Sequence, residues 1–289
     1  MDRRKLDQFA RRAGADVLGV ANIERFDELA PEKHPRTIFP ETRSVIVLGR
    51  RITRGTLRGV EEGTNFGDFR KYGADWLEDR FVALTTYRVA EFLEDDGWEA
   101  VPLPNLPPEI PPMGVSVRKG QSAPNVMLDF DDAAVRAGVG EIGFCGVLLT
   151  PAFGPRQRVQ MILTDAKLKA TPMLKKPICP LVPRPGERRS KECRDVCPLG
   201  AFVGERTLDI CGKKMTVAKI DFAKCAVCKN GAMPNRHHPA GKPDRLAAVC
   251  VRSCVDFLER TGGVTGRLAS NFRRRAPWVV RGETDLFKA

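Results

Sequence analysis

The sequence lacks any apolar run of the roughly 18 to 20 residues that a membrane-spanning helix needs. Its first 20 residues, MDRRKLDQFARRAGADVLGV, contain an arginine pair but no apolar segment before a cleavage site of the kind that marks a secretory signal. They have the pattern of an amphipathic helix that leads into a strand. We therefore expect no membrane partner and a cytoplasmic location.

Acidic residues are in the minority. The 289 residues include 36 Asp and Glu against 48 Lys and Arg, which gives a net charge of +12. Such an excess is typical of proteins with anionic partners, and a phosphate-bearing cofactor, RNA and an acidic redox partner all remain open. A basic surface that is simply solvated would have the same composition.

Cysteine is almost absent from the first part of the chain. Only Cys145 precedes position 179, whereas the other eight cysteines lie between positions 179 and 254. Reducing conditions in the cytosol disfavour structural disulfides, and buried core cysteines would be spread over both halves. The clustering therefore indicates metal binding in the second half, while Cys145 is expected to be a small core thiol.

The segment KECRDVCPLGAF contains half of a known metal motif. Cys193-x3-Cys197-Pro198 matches the end of the bacterial ferredoxin pattern C-x2-C-x2-C-x3-C-P. The two earlier cysteine positions of that pattern are occupied by Glu187 and Ser190. The missing thiols must come from elsewhere if this segment binds a cluster.

A second, stretched copy of the pattern follows. Cys225-x2-Cys228 is separated from Cys250-x3-Cys254 by 21 residues, and Val255 stands where the proline is expected. In two-cluster ferredoxins the last cysteine of each motif binds the cluster of the other motif. The spacing thus predicts two [4Fe-4S] clusters, one held by Cys225, Cys228, Cys250 and Cys197, the other by Cys179, Cys193, Cys211 and Cys254.

Three alternatives to two clusters remain open at this point. The chain could bind one cluster with spare thiols, or the cysteines could form disulfides. Zinc could bind Cys225, Cys228, Cys250 and Cys254 as an all-thiolate site, with His237 and His238 as possible nitrogen ligands. The histidine pair more simply fits an exposed loop.

Hydrophobic patterns divide the chain near residues 168 to 175. Before this point we predict a helix in LDQFARRAGA, strands in DVLGVANI, SVIVLGR, GVLLT and RVQMILTD, and helices over residues 72–98 and in DFDDAAVRAG. Six prolines in VPLPNLPPEIPPMG predict a loop or polyproline II. After this point we expect short helical patches, long irregular connections and stabilisation by metal.

The glycine-rich centre, RAGVGEIGFCGVLLTPAFGPRQRVQMILTDAKL, is the most specific stretch. AGVGEIG follows no clear strand, so a Rossmann nucleotide site is not expected. Followed by LLTPAFGPRQR, ILTDAKL and the Cys-x3-Cys-Pro segment, it resembles the superfamily of epoxyqueuosine reductases and corrinoid-dependent reductive dehalogenases. The opening DVLGVANIERFDEL and SVIVLGR is similar to the N-terminal part of that group.

This resemblance implies an α/β fold in two parts. Residues 1–170 would form a nitroreductase-like α+β domain that binds cobalamin, and residues 171–289 a small, irregular, ferredoxin-like iron–sulfur domain with two [4Fe-4S] clusters. Electrons would pass through the clusters to the corrinoid, which would reduce a substrate. A low-potential ferredoxin or flavodoxin would be the electron donor.

The resemblance also suggests which residues serve the cofactor and the reaction. The residues expected to contact the corrinoid are Gly138, Gly140, Glu141, Gly143, Gly146, Thr150, Phe153, Gly154 and Arg156. The superfamily's catalytic acid has no match near residues 123–125. Candidate proton donors are therefore Tyr72, Asp129 and Asp131, although Asp residues here also fit N-caps of the following helix, and Tyr72 and Tyr87 also fit half-buried helix positions.

Two further functions remain open. Without the catalytic acid, the protein could be an electron-transfer or corrinoid-handling accessory protein that has no organic substrate of its own. The positive charge, together with the epoxyqueuosine branch of the superfamily, would also fit an enzyme that acts on tRNA. The substrate class, whether a small molecule or tRNA, stays open.

Overall fold

The computed structural model describes residues 1–179, 192–266 and 268–277. Positions Glu187 and Ser190, where the ferredoxin pattern is broken, lie outside them. No helix among the described residues is both long enough and apolar enough to cross a bilayer. The helices are α1 (Arg3–Arg12), α2 (Arg58–Glu62), α3 (Ala83–Asp95), α4 (Phe130–Arg136), α5 (Glu192–Asp195), α6 (Phe222–Ala226) and α7 (Val249–Arg260).

The strands form small antiparallel sheets. The largest sheet has four strands in the order β1-β2-β6-β3, and two hairpins, β4-β5 and β7-β8, complete the pattern. The mixed α/β class predicted from the sequence is confirmed in this form. The strands are β1 (Val17–Asn22), β2 (Ser44–Arg51), β3 (Ala100–Leu103), β4 (Glu141–Ile142), β5 (Leu148–Leu149), β6 (Gln157–Thr164), β7 (Phe202–Ile210) and β8 (Lys213–Ile220).

Strand β2 lies inside the sheet and is covered on both faces. Ile46 and Leu48 pack into the cluster that contains residues of α1 and α3, whereas Val45 and Val47 pack into the cluster that contains α4. Successive side chains of a strand point to opposite faces, so a continuous apolar run fits a strand buried on both sides. This explains why SVIVLGR was recognisable from the sequence alone.

The proline-rich stretch is not entirely a loop, as the sequence had suggested. Strand β3 contains Pro102 and pairs with β6 alone, which makes it an edge strand. Proline has no N–H to donate, but at the edge of a sheet that donor is not needed. The prediction of a loop or polyproline II was therefore wrong for residues 101–103.

The predicted helix over residues 72–98 begins earlier and is uneven. Wide, π-helical turns over Phe69–Asp75 and Leu77–Val82 precede the regular helix α3, which gives way to Gly97. Tyr72 and Tyr87 lie on this helical segment and are 50% and 56% exposed, close to the half burial expected of them.

A β-hairpin lies in the second half of the chain, where the sequence had suggested irregular structure. Strands β7 and β8 pair from Phe202 with Ile220 to Ile210 with Lys213, which leaves a two-residue turn at Cys211 and Gly212. Both turn residues have positive φ, +52° and +79°. This is the combination that a type I′ hairpin turn requires. The expectation of only short helices and irregular connections after residue 168 was therefore wrong.

The two halves of the chain share their cores. Met215 and Val217 from β8 lie in the same hydrophobic cluster as α4, and Val255 from α7 lies in the cluster that contains α1 and α3. The predicted boundary near residue 170 stays a prediction. Whatever its exact position, packing across it is continuous among the described residues.

A buried ion pair joins the halves. The Arg252 guanidinium on α7 donates to the Glu61 carboxylate on α2, and the side chains of both residues are 1% exposed. Arg252 also donates to the carbonyls of Asn230 and Ala247, and Glu61 accepts from the Arg275 N–H. Breaking a buried pair by removing one charge is costly, because the other charge stays buried without compensation.

We predict that Glu61→Gln lowers the free energy of unfolding by about 3 kcal/mol, because the Arg252 charge then stays buried without its counterion. The matched control is Glu62→Gln on the same short helix. Glu62 pairs with Arg58 and Arg275 in a more exposed position. Anaerobic urea unfolding should show the loss for Glu61→Gln and almost none for Glu62→Gln; equal effects would contradict the assignment.

Candidate iron–sulfur centre

The glycine-rich turn is a closed hairpin. Strands β4 and β5 pair Glu141 with Leu149, and the Gly146 N–H donates to the Gly143 carbonyl across the turn at 2.8 Å. A Cβ on Gly140 would lie 2.0 Å from the Leu149 carbonyl oxygen, and one on Gly138 would lie 2.3 Å from that of Pro172. At these positions glycine permits close approach of the chain to itself, so the turn presents no open cofactor surface there.

The other residues expected to contact a corrinoid also have partners within the protein. The Thr150 hydroxyl donates to Gln157 at 2.9 Å, and the backbones of Thr150 and Gly154 form a bridge. Arg156 is buried, donates to the Ile52 carbonyl and faces Glu259 at 3.9 Å, while Phe153 lies under the Arg51 guanidinium. A corrinoid role for these residues stays a prediction that their contacts do not favour.

Glu141 has a role that the sequence did not reveal. One of its carboxylate oxygens accepts the N–H groups of Ile178 and Cys179, both at 2.7 Å, and the other lies 3.3 Å from the Lys213 ammonium. The side chain is buried, so these bonds hold the segment before Cys179 against the glycine-rich hairpin. Glu141 thus positions a predicted metal ligand.

A first group of thiols forms where the hairpin meets α5 and α7. The Cys145 thiol is within hydrogen-bonding reach of the thiols of Cys193 and Cys254. Cys179 packs against the same buried cluster. The Phe144 N–H donates to the Cys179 sulfur at 3.4 Å. The neighbouring thiols of Cys193 and Cys254 lower the pKa of Cys145, whereas Cys145 and burial raise that of Cys193.

A second group contains Cys197, Cys225, Cys228 and Cys250, which line one small cavity. This is the set that the ferredoxin exchange rule predicted for one cluster. The Ala201 N–H donates to the Cys197 sulfur at 3.3 Å. Burial raises the pKa of Cys250 to about 12, with Arg245 opposing the shift. Their roles as ligands stay predictions, but the structure brings these four residues together.

Cys211, predicted as a ligand together with Cys179, Cys193 and Cys254, does not lie in the first thiol group. It lies at the exposed tip of the β7-β8 hairpin, and a cavity of about 550 Å³ is lined by both Cys211 and Cys179. Cys145, expected to be a small core thiol, is indeed buried in a core cluster, and that cluster also contains Cys193, with Cys254 packed against it. The sequence prediction therefore named three of the four thiols in this group.

The two groups have the donor chemistry of iron–sulfur clusters. Among the described residues, no set of three or more His, Cys, Asp or Glu side chains is arranged to hold one ion. A four-iron cluster is larger than an ion and binds four thiolates spread around it. Thiols are the donors in both groups, and backbone N–H groups point at two of the sulfurs. This donor chemistry fits [4Fe-4S] clusters.

The four cysteines that could have formed a zinc site do not lie together but are divided between the two thiol groups. Cys254 lies with Cys145, whereas Cys225 and Cys228 lie with Cys197. The backbone N–H groups of His237 and His238 both donate to the Asn235 side chain. The histidine pair thus belongs to a turn stabilised by asparagine, as expected for a loop.

A groove lies beside the second thiol group. It consists of two cavities, of about 200 and 640 Å³, which share residues 234–237 and Lys242. The larger cavity is also lined by Phe222 and Ala226, and Ala226 follows Cys225 directly in sequence. The smaller one is lined by residues 105–109 and Arg158. The total size is in the range of small-molecule sites in proteins.

The three candidate proton donors differ in their surroundings. Tyr72 is exposed and packs edge-on against Trp76 at 5.1 Å. The Asp129 carboxylate accepts from the Asp132 N–H and caps α4, as the sequence suggested. Asp131 is half buried. Burial, reinforced by the nearby Asp129 charge, raises the pKa of Asp131 to about 7.

Asp131 is the candidate that could both hold and release a proton near neutral pH. The positive charges of Lys242 and Arg158, which line the groove, and of Arg245 oppose the rise of the Asp131 pKa. Asp132, by contrast, is paired with Arg136 at 2.6 Å and belongs to the packing of α4.

Comparisons with known proteins agree with the superfamily suggested by the sequence. The chain is 32% identical over 125 residues to a tetrachloroethene reductive dehalogenase from Desulfitobacterium hafniense, a match that covers 43% of this chain and 18% of that protein. No protein-family model matches the chain.

Solved structures give the same result for the fold. A reductive dehalogenase described as suggesting a mechanism for B12-dependent dehalogenation aligns with a TM-score of 0.53 and 16% identity, over 96% of this chain and 42% of that one. An epoxyqueuosine reductase from Bacillus subtilis aligns with a TM-score of 0.43 and 15% identity, over 91% and 76%. The chain spans less than half the length of the dehalogenases that it matches, and its predicted resemblance to them is confirmed in sequence and in fold.

We predict that Asp131→Asn stabilises the protein above pH 7. A carboxyl group whose pKa is raised on folding, here from 3.8 to about 7, favours the folded state below pH 3.8, and this advantage is lost as pH rises to about 7. The neutral amide avoids that loss, worth on the order of 1–3 kcal/mol. Anaerobic thermal unfolding at pH 5 and pH 8 should show a gain for Asp131→Asn that grows with pH.

The control for this measurement is Asp95→Asn, at an exposed position near the end of α3. Its effect should not change between pH 5 and pH 8. A gain for Asp131→Asn that is equally independent of pH would contradict the raised pKa.

Proposed function

Since the chain resembles reductive dehalogenases in sequence and in fold, we propose that it is an iron–sulfur oxidoreductase. Two [4Fe-4S] clusters pass electrons from a low-potential ferredoxin or flavodoxin toward a corrinoid, which reduces the substrate. The observation that carries this proposal is the separation of eight thiols into two neighbouring groups of four. Cys250 of the second group packs in the same hydrophobic cluster as Cys145 and Cys193 of the first, so the two groups are neighbours.

The corrinoid is better placed in the groove than at the glycine-rich turn. The turn is filled by the protein's own backbone, whereas the groove is open and borders the second thiol group through Phe222 and Ala226. Asn235, His237 and Lys242 would hold the polar edge of such a cofactor. When bound, a corrinoid supplies a cobalt centre that accepts electrons and reduces the substrate.

The protein's own contribution to the reaction is a proton and a defined electrostatic field. Asp131 keeps a proton on its carboxyl group in the neutral range, close to groove residues Lys242 and Arg158. Arg158 is fixed by Asp244 and by the Gly73 carbonyl, and Arg236 is fixed by Asp79. These pairs neutralise part of the charge within the groove, and in this proposal Asp131 delivers the proton.

One observation favours the second function, that of an electron-transfer or corrinoid-handling accessory protein. The nine residues that the resemblance assigns to corrinoid contact include a closed turn, and the polar side chains among them are engaged within the protein. Without a filled groove, the two clusters would still transfer electrons. Retention of cobalt therefore separates the two functions.

Anaerobic reconstitution with iron, sulfide and cobalamin tests both functions. We expect about eight irons per chain, and about four in Cys225→Ala/Cys228→Ala, because that variant loses one of two four-iron clusters. Fewer than about four irons in the wild type would contradict the two-cluster proposal. Retained cobalt supports the corrinoid-dependent reductase, whereas about eight irons without cobalt support the accessory protein.

A further inference from the structure

The tip of the glycine-rich hairpin delivers a thiol to the first group. Residues 143–146 form a tight turn between β4 and β5, and Cys145 lies inside it, 2% exposed. Its carbonyl accepts from Arg245 at 2.8 Å, which fixes the turn from the other side. The Cys145 side chain packs in one buried cluster with those of Cys193 and Cys254.

The backbone around Cys145 is also turned toward the group. The Phe144 N–H, one residue earlier, points at the Cys179 sulfur. Hydrogen bonds from backbone N–H groups to ligand sulfurs are a recurring feature that adjusts the potentials of iron–sulfur clusters. A turn that supplies both a thiol and an N–H donor suits a cluster better than it suits an inert core.

The position of Cys211, in contrast to that of Cys145, does not suit a cluster ligand. Its backbone conformation, φ +52°, is the one that a two-residue hairpin turn needs, and its side chain is exposed. The β7-β8 ladder is paired up to Ile210 and Lys213 on either side of it. Bringing Cys211 to Cys193 would require rearrangement of this hairpin, whereas Cys145 is already there.

We infer that Cys145, not Cys211, completes the first cluster, with Cys179, Cys193 and Cys254 as the other ligands. This inference rests on the proposed two-cluster function. It means that one cluster is tied to the first half of the chain by a covalent metal–sulfur bond. Cys211 is then a free thiol with no part in cluster binding.

Matched single variants test this assignment. We expect Cys211→Ala to keep about eight irons per chain after anaerobic reconstitution, like the wild type, and Cys145→Ala to fall toward about four. Wild-type iron and EPR signals in Cys145→Ala, or a loss confined to Cys211→Ala, would overturn the inference. A wild type below about four irons would instead overturn the two-cluster function itself.

Cys145→Ser keeps the test decisive if the alanine variant does not fold. Serine has nearly the same size and offers an oxygen ligand, so iron could remain while the coordination of one iron changes. Mössbauer spectra of the reconstituted Cys145→Ser protein should show one altered iron site. Spectra identical to those of the wild type would contradict ligation by Cys145.

A second inference concerns Arg245, which lies between the two thiol groups. The residue is 6% exposed, donates through Nη2 to the Cys145 carbonyl in the first group, and lines the cavity of the second group. Its Nη1 is buried and has no hydrogen-bond partner among the described residues. A buried guanidinium N–H without an acceptor is costly, so an acceptor is expected at this place.

We propose that Arg245 donates through Nη1 to a sulfur of the second cluster and raises its reduction potential. The added electron makes a cluster more negative, and a buried positive charge nearby stabilises that reduced form. The cation also lies over the Phe222 ring, 5.5 Å from its centroid. Arg245 thus acts on the potential and has no direct part in the substrate reaction.

Redox titrations followed by EPR test this proposal. Arg245→Gln replaces the guanidinium by a neutral amide, which still has an N–H donor but carries no charge. We expect the midpoint potential of the second cluster to become more negative in this variant. Arg245→Lys keeps the charge and should stay near the wild type. An unchanged second-cluster potential in Arg245→Gln, or an equal shift in Arg245→Lys, would overturn the proposal; iron content measured in parallel shows that both clusters are present.

Discussion

The buried ion pair between Arg252 and Glu61 is the contact on which the candidate centre depends. Arg252 lies on α7, midway between Cys250 and Cys254, which belong to different thiol groups. The same guanidinium binds the carbonyl of Asn230, two residues after Cys228. One side chain therefore fixes the helix that serves both groups, the loop of the second group, and α2 of the first half.

The thiols themselves come from distant parts of the chain. In the first group, Cys145 comes from a hairpin, Cys179 from an irregular segment held by Glu141, and Cys254 from α7. Closing such long loops costs conformational entropy, which contacts between the joined residues must offset. Metal–thiolate bonds couple binding to folding and can offset that cost. The Arg252–Glu61 ion pair and the hydrogen bonds of Glu141 already hold parts of these loops in place, so less of the entropy cost has to be offset by metal binding.

Part of this arrangement could be predicted from the sequence. The apolar run of β2 identified a strand covered on both faces, and the spacing of Cys197, Cys225, Cys228 and Cys250 identified the second group. The first group was harder because its fourth thiol, Cys145, is separated from the others by more than 30 residues and sits in a glycine-rich stretch that suggested a cofactor cradle. No local pattern reports such a long-range contact.

The hairpin that contains Cys211 was missed, although the sequence contains a pattern that predicts it. The alternating residues of FVGERTLDI and KKMTVAKI flank Cys211 and Gly212, the spacing of a two-residue hairpin. That pattern would have placed Cys211 in a turn. The roles of Glu141 and Arg245 had no such signal, because they follow from tertiary contacts with residues far away in sequence.

The most direct test of the central claim is an anomalous scattering map at the iron edge from anaerobically grown crystals of the reconstituted protein. The structure predicts two iron peaks, one enclosed by Cys145, Cys179, Cys193 and Cys254, the other by Cys197, Cys225, Cys228 and Cys250. A single peak, or a first peak bound by Cys211 with Cys145 turned away, would contradict it.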